Sequence, residues 1–137
     1  MEAGKLRLTL VTPERSLVEK AACDEVTLPS ERGEIGILPG HTALITLLGI
    51  GKVTMKDGGT KKSFALRGGF AEIAEDDVRL LADQAVAPEA VDAKAAEKEL
   101  VNAEQRRLEV VGEEQLDAVN ADASYAEAKL AVVGKPA

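Results

Sequence analysis

The chain has 137 residues, 45% of them apolar, with 17 basic against 24 acidic side chains and a net charge of −7. It is long enough to bury a core of its own, and its acidity argues against phosphate-backbone or anionic-lipid binding. Two phenylalanines, one tyrosine, no tryptophan and one cysteine exclude base-stacking platforms, an internal disulfide framework and a cysteine-only metal site.

Residues 1–87 read as short strands. Leu6, Leu8 and Leu10 alternate with Arg7, Thr9 and Val11, the period of two of a half-buried strand. Similar runs follow at Ser16–Ala22, Glu25–Leu28, Gly36–Leu38, Ala43–Leu48, Lys52–Lys56, Lys62–Leu66, Gly69–Ala74 and Val78–Ala82. Asp57-Gly58-Gly59 is a hairpin signal, and Glu31-Arg32-Gly33, Pro39-Gly40 and Asp76-Asp77 are turns. Eight or nine such strands predict an antiparallel sandwich or barrel, because a parallel sheet needs crossover helices for which there is no room. The N-terminal Met1–Arg7 has no apolar signal core, and the most apolar stretch, Ala43–Ile50, is far below the roughly 18 residues of a membrane span. A cytoplasmic protein that reaches a membrane only through partners is expected.

Composition shifts at about residue 87. Ten of the 12 glycines and four of the 5 prolines lie at or before Pro88, and the rest is rich in Ala, Glu and Lys. Residues 88–137 read as two helices. Pro88 suits a first helical position, with Glu89 and Asp92 in the first turn. Ala93, Ala96, Leu100 and Ala103 share one face, which Leu108 and Val111 continue, and Gly112 supplies a C-terminal cap. In the second helix Leu116, Val119, Ala123, Ala126, Leu130 and Val133 form a heptad seam. A short linker makes the pair an antiparallel hairpin, weakly held because its seams are alanine-rich.

Little in the chain promises chemistry. His41, the lone histidine, has no second histidine and no CxxC nearby and reads as a loop or contact residue. Cys23 precedes Asp24-Glu25, an acidic setting that dulls a thiol. Gly68-Gly69 lacks the phosphate-loop pattern and reads as a bulge or tight connection. Lys61-Lys62 reads as a solvated hairpin tip, and Glu75-Asp76-Asp77 lacks calcium-loop spacing. With no active site assembled, the chain reads as a binding or regulatory part.

The run Gly33-Glu-Ile-Gly-Ile-Leu-Pro-Gly-His41-Thr-Ala-Leu-Ile45, preceded by Val26-Thr-Leu-Pro-Ser30, resembles the epsilon-subunit family of bacterial and organellar ATP synthases. Leu66-Arg-Gly-Gly-Phe-Ala-Glu-Ile73 and Val78-Arg-Leu-Leu-Ala-Asp-Gln-Ala85 extend the resemblance. It runs from about residue 5 to the C-terminus, by motif over the first 87 residues and by length and pattern beyond. It implies a flattened antiparallel β-sandwich of about ten strands, then an antiparallel two-helix hairpin. It also implies a non-catalytic, cofactor-free part of the central stalk at the cytoplasmic face of the cell membrane. There such a subunit joins the gamma subunit to the c-subunit ring and couples proton or sodium flow to ATP synthesis. In many members the hairpin extends towards the alpha/beta head and blocks hydrolysis, and in some the folded hairpin binds ATP.

By the same resemblance the segment from Ser30 to His41 faces the c ring, with Ser30, Glu31, Glu34 and His41 as contact residues. ATP-binding members carry Ile/Leu-Asp-x-x-Arg-Ala at the start of the first helix. Here Asp92 and Ala96 match, Val91 stands at the Ile/Leu position, Lys94 lies between them, and Ala95 stands at the arginine position. The second helix has no arginine, so ATP binding at Val91, Asp92 and Lys94 is expected to be weak or absent. Its five acids (Glu113, Glu114, Asp117, Asp122 and Glu127) against Lys129 also disfavour latching onto acidic segments of the head. The other readings are an adaptor with a β domain and a coiled-coil arm, and a small enzyme that depends on His41.

Overall fold

The alternation at the N-terminus becomes β1 (Leu6–Val11), in which Leu6, Leu8 and Leu10 are fully buried. The computed structural model describes residues 4–134. Seven strands follow: β2 (Ser16–Cys23), β3 (Glu25–Ser30), β4 (Gly33–Ile37), β5 (Leu44–Leu47), β6 (Ile50–Asp57), β7 (Thr60–Ala74) and β8 (Asp77–Val86). They form one hydrogen-bonded network in the order β2-β1-β8-β7-β6-β3-β4, with β5 added to β7. All eight send apolar side chains into a single core around Leu8, Leu28, Val53, Phe64, Leu66 and Ile73.

The described residues hold eight strands, in line with the eight or nine read from the residues and close to the count of about ten that the resemblance implies; the runs at Lys62–Leu66 and Gly69–Ala74 are one 15-residue strand, β7. One expectation changes. β1 and β8 pair in parallel, from Arg7 opposite Asp77 to Val11 opposite Leu81. No crossover helix is needed, because the intervening strands themselves make the connection.

β7 runs unbroken because β5 and β6 lie end to end along it in one register, Leu47 opposite Phe70 and Ile50 opposite Arg67. Between them Leu48-Gly49 bonds to β7 at the double glycine: Gly68 N donates to Gly49 O at 3.1 Å and Leu48 N to Gly69 O at 2.9 Å. Gly68 and Gly69 both have positive φ, 71° and 108°. A Cβ at Gly69 would stand 2.0 Å from the Leu81 carbonyl oxygen, so only glycine fits where β7 bends against β8.

After β8, Pro88 opens a separate 3-10 turn (Pro88–Ala90) instead of the first helix. The helix α1 (Ala93–Arg107) begins after Asp92, whose side chain accepts from Ala95 N at 3.1 Å as an N-cap. It ends before Leu108 and Val111, which are 88% and 80% exposed and do not continue the buried face. Gly112 (φ 91°) is the N-cap of α2 (Glu113–Val132), not a C-cap of α1. Of the predicted seams, Ala96, Ala103, Val119, Ala123, Ala126 and Leu130 are buried. Ala128 is buried as well, though it lies about 200° round the helix from Ala126. α2 is therefore covered on two sides, by α1 and by the sheet at β6 and β7.

Candidate functional site

The segment from Ser30 to His41 is a strand with a turn at each end. At the first turn Ser30 Oγ donates to Gly33 O at 2.6 Å and accepts from Arg32 N at 3.2 Å. Ser30 is only 9% exposed, so it shapes the turn while Glu31, Arg32 and Glu34 stand out in solvent. At the second, His41 N donates to Leu38 O at 3.1 Å across Pro39 and Gly40, whose φ is 85°. Proline then glycine at the central positions is the chemistry of a type II turn. His41 Nδ1 lies 2.6 Å from Thr42 O. Five residues of β4 separate the turns, so Glu31 and His41 stand roughly 15 Å apart and do not form one cluster.

An apolar surface lies beside the first turn, and sequence reasoning did not single it out. Ile45, Leu47 and Phe70 are 72%, 55% and 44% exposed, and Leu47 pairs with Phe70 across β5 and β7. With Ser30, Glu31, Arg32 and Ile35 they line an open groove of about 630 Å³. The signal was present in Leu44-Ile45-Thr46-Leu47, which is apolar on both faces. A strand with one solvated face alternates, whereas one covered on both does not.

A second group lies where the hairpin meets the sheet. Asp122 of α2 accepts from Arg67 of β7 at 2.8 Å and from Arg106 of α1 at 2.9 Å. The two guanidinium groups, Arg106 first, hold the Asp122 carboxyl below its ordinary range. These three residues line a groove of about 460 Å³ with Lys98, Glu99, Asn102 and Tyr125. Burial raises the Tyr125 hydroxyl above its ordinary range. Val91, Asp92 and Lys94 lie outside this groove. Val91 N closes the 3-10 turn onto Pro88 O, the Asp92 carboxylate caps α1, and Lys94 is exposed on the outer face of that helix.

The remaining candidates have structural partners. Cys23 is fully buried, and its thiol is pushed up to about 11, by burial first and by Asp57 and Asp24 second. Asp77 is held below its ordinary range by the Arg7 guanidinium at 2.7 Å, and Asp76 accepts from Gly40 N at 2.8 Å. Lys62 reaches Glu89 at 3.4 Å. Among the described residues no group of His, Cys, Asp and Glu is arranged to hold a metal, and no helix is long and apolar enough to cross a membrane.

Residues 5–88 match the family described as "ATP synthase, Delta/Epsilon chain, beta-sandwich domain". The ATP synthase epsilon chain of Solibacter usitatus is 40% identical over 131 residues, 95% of this chain and 96% of that one. The epsilon chain of Prochlorococcus marinus (strain MIT 9303) is 42% identical over 109 residues, 80% of this chain and 81% of its own. Among solved structures, a chain in the OSCP/F1/c-ring assembly of the Euglena gracilis mitochondrial ATP synthase shares the fold. Its TM-score is 0.80 at 22% identity, over 96% of this chain and 82% of that one. A chain in the central stalk/c-ring of the Tetrahymena thermophila enzyme aligns at a TM-score of 0.67, with 14% identity. It covers 97% of this chain and 99% of that one.

Proposed function

The chain belongs to the ATP synthase epsilon-chain family, a non-catalytic subunit of that complex, and from this premise we propose that it joins the gamma shaft to the c-subunit ring. The observation that carries this reading is the uncovered apolar surface of Ile45, Leu47 and Phe70 beside the polar turn at Glu31 and Arg32. A permanent partner takes apolar area, so gamma covers the groove. The ring contact needs less area, because the shaft already anchors the subunit. It falls to the exposed Glu31 and Glu34 and to His41, with Ser30 shaping the turn. In this arrangement the protein sits at the cytoplasmic face of the membrane, held there by its partners.

The subunit works without a bound nucleotide. Ala95 replaces the arginine of the ATP-binding pattern, α2 has none, and Arg67 and Arg106 are already engaged by Asp122. Coupling therefore comes before braking as its role. The acids of α2 favour the sheet-docked hairpin over an approach to acidic segments of the alpha/beta head.

The test is reconstitution into vesicles of the complete complex, stator included, with or without the full chain, reading ATP hydrolysis and ATP-driven ion pumping together. Added chain is expected to restore pumping per ATP hydrolysed. Leu47→Glu should abolish binding to gamma, and Glu34→Lys should weaken attachment to the ring while leaving gamma binding intact. Failure of the unsubstituted chain to bind the head-and-gamma complex would overturn the reading.

A further inference from the structure

We propose that Asp76, in the β7–β8 turn, is the positioning residue that fixes the Pro39-Gly40-His41 turn for contact with the c ring. This rests on the reading that places His41 at that contact.

Three features make Asp76 a fixed point. It lies in a turn where Glu75 and Asp76 both take left-handed backbone, φ 52° and 67°. Arg7 of β1 clamps that turn from three directions. Its Nη2 donates to Glu75 O at 2.9 Å, its Nε to Asp77 at 2.7 Å, and its backbone N to Asp76 O at 2.8 Å. The Asp76 carboxylate then accepts from Gly40 N at 2.8 Å, across 36 residues of sequence.

Gly40 holds the third position of a type II turn, whose central amide points away from the turn and is left free by the turn's own hydrogen bond. Without a partner this amide is solvated, and the turn can swing on Leu38 and Thr42. With Asp76 it is tied to the β1–β8 pair, and His41 is held in place. A preorganised loop binds more tightly because less of its freedom is lost on contact.

The substitutions that test this are chosen for the turn. Asp76→Gly removes the acceptor and suits the positive φ, so the backbone turn is kept. Asp76→Asn keeps the acceptor oxygen and tolerates the same backbone. In the full chain, Gly40 amide exchange is expected to be protected in the parent and in Asp76→Asn, and unprotected in Asp76→Gly. In the complex with the head and gamma, affinity for detergent-solubilised c ring is expected to fall roughly five- to ten-fold for Asp76→Gly. Asp76→Asn should match the parent, and gamma binding should be unchanged throughout.

An unprotected Gly40 amide in the parent overturns the proposal. So does Asp76→Gly that frees Gly40 yet binds the ring like the parent. Glu34→Lys and His41→Ala separate the two layers. If they weaken ring binding and Asp76→Gly does not, the positioning role alone is wrong. If none of the three weakens it, the ring-contact reading falls and the proposal with it.

Discussion

The carboxylate of Asp122 on α2 lies 2.8 Å from the guanidinium of Arg67 on β7, the one ion pair between α2 and the sheet among the described residues. Arg106 of α1 takes the second oxygen at 2.9 Å, so one side chain ties together both helices and the sheet. The apolar contact around it is thin: Ala96, Ala103, Ala123, Ala126 and Ala128 make up most of the buried helix residues. Each adds a methyl group where a leucine would add ~1.5–3 kcal/mol.

Removing that carboxylate should therefore loosen the hairpin before it harms the sheet. Asp122→Ala leaves Arg67 and Arg106 without their acceptor, but both retain some access to water. The expected loss is about 1–2 kcal/mol, discounted for that exposure. Amide exchange in α2 should quicken while β1 and β8 stay protected. Equal quickening in both places would mean that the hairpin does not open on its own.

The same node gives the hairpin a pH response with a definite sign. Asp122 has its folded pKa lowered, by Arg106 first and Arg67 second. Its contribution is thus present above the unfolded carboxyl value of about 3.9 and is lost as pH falls through the lower folded value. Hairpin docking should not vary between about pH 5 and 9 on this account, and should weaken only below about pH 4. Circular dichroism and α2 amide exchange across that range measure it. A loss near neutral pH would point to a different group.

Much of this was legible in the sequence. Leu6, Leu8 and Leu10 showed their buried face through alternation, and Asp57-Gly58-Gly59 marked a two-residue hairpin loop at Gly58-Gly59 that the structure contains. Gly68-Gly69 read as a tight connection, and the 2.0 Å approach of Leu81 O to a Cβ there gives the reason. Periodicity could not show the parallel pairing of β1 with β8, since that depends on residues 70 apart meeting in space. Nor could it separate Pro88 as a 3-10 start from Asp92 as the helix cap, because both are good opening residues. The candidate surfaces were legible only where they are local. The Glu31 and His41 turns were recognisable, whereas the Arg67–Asp122 pair and the Asp76–Gly40 bond join segments that local patterns do not connect.

Gly69→Ala and Gly59→Ala should differ sharply. At Gly69 a methyl meets backbone at 2.0 Å and φ is 108°, so the bend in β7 must distort. The cost is expected to be large, roughly 3–5 kcal/mol, in the range reserved for strain and overpacking. At Gly59 no atom lies within 4 Å of the added carbon and the φ is ordinary. That change should fall within about 0.5 kcal/mol of the parent or stabilise slightly. Urea midpoints of the two variants provide the comparison, and equal midpoints would remove the special role of the double glycine.

Cys23 should behave as a reporter of global unfolding. It sits on β2 opposite Leu6 with no exposed surface, next in sequence to Asp24, which Lys5 reaches at 2.7 Å while also pairing with Asp57. Burial leads the rise of its pKa to about 11, and the two acids add to it while Lys5 opposes them. At pH 8 a thiol with that pKa is ionised in only about one molecule in a thousand, and the thiolate is the reactive form. An aromatic disulfide reagent should leave the native protein unmodified for hours and label one thiol per chain within minutes in guanidinium. β2 is an edge strand, but the Cys23 side chain belongs to the single buried core, so labelling under native conditions should follow the opening of that core, and Asp122→Ala should leave it unchanged. If that substitution speeds labelling, the hairpin and the sheet open together.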